Sequence, residues 1–76
     1  MPQPLNDNAP VHLSADAAFI VREIVEQMAP SKPEDYDRIA AECNKGANVF
    51  DGGPALAHEV ATELRRRADA MRRGVT

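Results

Sequence analysis

After Pro54 neither proline nor glycine interrupts the chain until Gly74. Across that stretch Leu56, Val60, Leu64, Ala68, Met71 and Val75 recur every three or four residues, the spacing of one helical face. Proline suits the first helical position, because its fixed φ is already helical and its missing N–H has no partner to lose there. Glu63 and Arg67, like Asp69 and Arg73, stand four residues apart with the acid first, the favourable order on a helix. Arg72 and Arg73 lie at the end where positive charge complements the helix dipole. One long C-terminal helix over residues 54–73 is therefore predicted. Its apolar face must be covered by whatever precedes it.

Two shorter helices precede it. Ser14 is a good N-cap and Asp16 falls in the first turn, where a carboxylate is stabilised. Ala17, Ile20, Val21, Ile24 and Met28 keep helical spacing, while Phe19 and Val25 add apolar groups beside the stripe. Ala29-Pro30 ends this helix, giving residues 15–29. Ser31-Lys32-Pro33-Glu34 then has the spacing of a capping box, opening a helix over 32–45 that stops at Gly46. Tyr36, Ile39, Ala40, Cys43 and Ala47 form its apolar stripe. Residues 48–53 read as a loop, with Val49 and Phe50 as apolar plugs and Asp51-Gly52-Gly53 as turn residues.

The expected fold is all-α: a small three-helix domain over residues 11–76, with a long C-terminal amphipathic helix. An extended or disordered arm over residues 1–10 precedes it, since that segment holds three prolines and several Asn and Asp residues. Val11-His12-Leu13 alternates like a very short strand. The arm has no basic start and no apolar run, so it does not read as an export signal, and no segment has the length of a membrane span. A cytoplasmic location is expected, with no membrane partner.

A chain of 76 residues has room for a marginal core only. Cys43 is the single cysteine, so an internal disulfide is impossible. Two histidines and one cysteine, far apart in sequence, do not supply a zinc site, and no cofactor signature is present. Oligomerisation or unusually good helix packing is the remaining source of stability, and a homodimer is expected.

The charges are unevenly placed within a net −3. Residues 1–51 hold nine acids and four bases; residues 52–76 hold three acids and five bases. Nucleic acid is a possible but disfavoured partner. A helix-turn-helix would present the second helix, whose Glu34, Asp35, Asp37 and Glu42 repel phosphate. A ribbon-helix-helix would read bases with Val11-His12-Leu13, which lacks Arg, Lys, Asn and Gln. The arginine-rich end of the C-terminal helix is what remains. The same acidic side chains on the second helix could instead imitate phosphates, but Arg38 and Lys45 dilute that patch.

Catalysis has little to work with. His12, Cys43 and His58 are the candidate nucleophile and bases, and Cys43 lies on an apolar stripe beside Glu42, which disfavours a reactive thiolate. Asp51-Gly52-Gly53 lacks the lysine and spacing of a phosphate loop. The chain is not expected to be an enzyme. It reads as a protein-interaction or regulatory module that binds an unidentified protein partner, with a nucleic-acid-associated regulator as the alternative. Leu56, Val60, Leu64 and Met71 are the expected apolar anchors of the contact surface, with Arg65, Arg66 and Arg72 at its rim and Phe19 and Val25 as a second patch. In the competing arrangement these faces simply close the monomer core.

Overall fold

A computed structural model describes residues 13–74. The expected arm over 1–10 and the short strand at Val11-His12 lie outside the described residues. Within them the fold is all-α: α1 (Ala15–Met28), α2 (Pro33–Lys45) and α3 (Pro54–Arg72), with a 3-10 turn over Ala47–Val49. No strand occurs among the described residues.

Local chemistry explains the helix ends. The Ser14 hydroxyl accepts the backbone N–H of Ala17 at 3.1 Å, as an N-cap should. α1 stops one residue earlier than expected because Ala29 adopts a left-handed φ of 48° and donates its N–H to the Val25 carbonyl. The start of α2 is also shifted. Lys32 is the N-cap, and Asp35, not Glu34, reaches back to accept the N–H groups of Ser31 and Lys32 at 3.2 and 3.3 Å. Gly52 and Gly53 take φ of 103° and 95°, which side chains other than hydrogen rarely tolerate, and they aim the chain into α3.

α3 is the central element. It packs along α2 and also carries α1, whereas no Cα of α1 comes within 8 Å of a Cα of α2. Ala17 and Val21 of α1, Ile39 and Ala40 of α2, and Val60, Ala61 and Leu64 of α3 form the core cluster, with Ala57 and Ala68 buried alongside. Five of those nine are alanines, so the helices approach closely but bury little hydrocarbon. Leu64, Val21 and Val60 are the largest side chains that are fully enclosed.

The loop before α3 departs from expectation. Phe50 packs against the core, but Val49 is 87% exposed and plugs nothing. The 3-10 turn that begins at Ala47 points it outward, and Ala47 belongs to that turn instead of the α2 stripe.

Candidate contact surface

Two of the four apolar anchors expected on α3 cannot serve as a surface. Val60 and Leu64 are wholly buried, because α1 and α2 both pack on the face that carries them. Leu56 is half-buried against the core. Met71, past the end of the packed region, is 37% exposed. The competing arrangement, in which this face closes the monomer, is the one observed for Val60 and Leu64.

The rim arginines are also largely occupied. Glu63 is 3% exposed, and its carboxylate accepts Arg66 Nε and Nη2, each at 2.8 Å, and Arg67 Nε at 2.9 Å. The two hydrogen bonds from Arg66 hold the Glu63 carboxyl below the usual carboxylate range, and the one from Arg67 adds to them against the opposing effect of burial. Arg72 crosses to α2, where Asp37 accepts it at 2.6 Å, and it also lies 3.8 Å from Asp69. The expected Asp69–Arg73 pair is replaced by this Asp69–Arg72 contact. Among the three rim residues, Arg65 alone shows no ion pair within the described residues.

The second patch fares differently. Phe19 is 54% exposed and Met28, at the far end of the same helix, is 58% exposed. Ile20 and Ile24 lie half-buried between them, and Val25 packs on the core from the other flank. Beside this face the separation of α1 from α2 leaves an open cleft of about 360 Å³. Ile24 and Met28 form its α1 wall, Ile39 and Cys43 its α2 wall, with Phe50 below and Arg38 and Glu42 at the edge. A shallower groove continues along α1 past Phe19, Glu23 and Gln27. Phe19 is exposed as expected, but Val25, expected beside it, packs on the core. Met28, expected on the buried stripe, is exposed instead. The cleft was not legible, since it depends on how far α1 leans from α2.

Two further contacts position α1. Glu59 of α3 accepts both the backbone N–H of Ser14 at 2.6 Å and its hydroxyl at 3.1 Å. This strap joins the N-cap of α1 to the second turn of α3. On the strap's side of the molecule a groove of about 640 Å³ runs past Leu13, His58, Glu59 and Thr62. Cys43 and His58 thus line different depressions. Burial, helped by the neighbouring Glu42 charge, pushes the Cys43 thiol up, so it is protonated near neutral pH. His12 lies outside the described residues, and no group of three His, Cys, Asp or Glu side chains suited to a metal occurs among those described. No helix among the described residues is long and apolar enough to cross a membrane. Comparison with known proteins finds no matching family model, no matching curated protein and no matching solved structure.

Proposed function

We propose that this chain is a protein-interaction module that works as a homodimer, with its contact surface on α1 and the cleft beside it instead of on α3. One observation carries the reading: an apolar cleft bordered by the exposed Met28 and continued by a groove past the exposed Phe19, in a domain whose own core is mostly alanine. Contiguous exposed apolar surface of this kind is characteristic of interaction sites. Large aromatic groups are enriched at the centre of such contacts. Small domains with little buried hydrocarbon gain the most from association.

The nucleic-acid reading loses ground for an electrostatic reason. Phosphate binding needs cations free to replace counterions. Arg66 and Arg67 are committed to Glu63, and Arg72 to Asp37.

Sedimentation equilibrium over a wide range of protein concentration tests the proposal. The wild-type chain is expected to move from monomer to dimer, and the double variant Phe19→Asp with Met28→Asp to stay monomeric with unchanged helical circular dichroism. A wild-type chain that remains monomeric throughout removes the homodimer.

A further inference from the structure

We infer that the chain covers part of its own α3: the segment over residues 9–12 docks extended along the groove past His58, with Val11 seated over Ala55. The inference is independent of the homodimer proposed above. Its first argument is where the chain meets the groove. Leu13 packs against the core cluster and lines the groove. The backbone N–H of the next residue, Ser14, is accepted by Glu59 at 2.6 Å. Two consecutive residues are thus fixed to α3 beside Glu59, and the chain ahead of them starts from inside the groove.

The second argument is conformational. Pro10 fixes its own φ and keeps Ala9 out of the helical region, and the β-branched Val11 also favours an extended backbone. Successive side chains of an extended chain point to opposite sides. Ala9 and Val11 therefore share the side of Leu13, which faces α3, and His12 takes the other. A segment predisposed to its docked shape gives up little entropy on docking.

Length and surface decide the direction. Val11 precedes Leu13 by about 6.6 Å of extended chain. Ala55 precedes Glu59 by one helical turn, about 6 Å. A segment running towards the start of α3 therefore brings Val11 over Ala55, beside the exposed Pro54 and His58. Running the other way, Val11 would meet the hydroxyl of Thr62 and the Glu63–Arg66 ion pair, a poor match for an apolar side chain. A second copy is the weaker competitor for this groove. An occupant tethered two residues from its seat acts at an effective concentration on the order of millimolar. Docking closes this face of α3 to other proteins and adds an anchor at the start of α1.

Nuclear Overhauser spectra of the whole chain test the contact. Cross-peaks are expected from the Val11 methyls to the Ala55 methyl and the His58 ring, and they should vanish when only contacts between isotope-labelled and unlabelled chains are selected. Cross-peaks that survive that selection put a second copy in the groove and overturn the inference. So does their absence from the wild-type spectrum. Val11→Asp should shift the amide signals of Ala55 and His58 with unchanged helical circular dichroism, whereas His12→Ser should move them far less. The reverse ranking overturns the alternation that seats Val11 on α3.

Discussion

Glu63 is the side chain whose environment differs most from its appearance in the sequence. A glutamate followed three and four residues later by arginines looks like an exposed helix pair, worth a few tenths of a kcal/mol. Here the carboxylate is 3% exposed and accepts three hydrogen bonds from two guanidinium groups. Those arginines are about two-fifths exposed, so water shares the cost if their partner is lost. Replacing Glu63 by Gln is therefore expected to destabilise the fold by about 1–3 kcal/mol at pH 7, below the range for a fully enclosed pair. Acid gives an independent check. The Glu63 carboxyl sits below its ordinary value when folded, so its contribution is complete above the unfolded-state pKa of about 4.3 and disappears as pH falls through the lower folded value. Urea unfolding of wild type and E63Q should thus show a gap at pH 7 that narrows steadily below about pH 4. A gap that is unchanged at low pH would mean that the ion pair is not its source.

Among the elements, α2 shows how a correct helix can carry a misread start. Ser31 with Glu34 and Lys32 with Asp35 have the same spacing, and serine is the better intrinsic cap. Pro33 decides between them. It occupies the first helical position, which makes Lys32 the cap and brings Asp35 into register with the free N–H groups of Ser31 and Lys32. Asp35→Ala should accordingly cost about 1 kcal/mol, while Ser31→Ala and Glu34→Ala should change stability by only a few tenths. Equilibrium unfolding of the three variants ranks them, and a larger loss for Ser31→Ala would restore the serine cap. The periodic positions of all three helices were legible because hydrophobic spacing is a local property. Which face of α3 remains at the surface was not. Val60 and Leu64 look alike as core or as contact residues until the angle of α1 and α2 is known. Phe19 was legible for the opposite reason, since it falls off its helix's apolar stripe whatever the neighbours do.

At the scale of the molecule, stability is distributed unevenly. α2 and α3 pack along their length, whereas the backbone of α1 comes close to that of α3 but not of α2 and leaves an open cleft towards α2. Its tie to the rest is Ala17 and Val21 in the core, the half-buried Ile20, Ile24 and Val25 packed against it, and the Glu59 strap on Ser14. Elements with few buried contacts open at lower free energy than the global transition. Native-state amide exchange at low protein concentration should therefore release Val21 and Ile24 before Leu64. Glu59→Ala should lower the protection of α1 further and leave α3 nearly unchanged, because the strap it removes holds only the start of α1. Raising the protein concentration should do the reverse. If two copies associate through α1, opening that helix requires breaking the dimer, so its protection must climb with concentration by mass action. Protection in α1 that equals α3 at every concentration would mean that all three helices unfold as one unit. The loosely held α1 would then be no weaker than the pair it leans on, and the open cleft would have no consequence for how the chain moves.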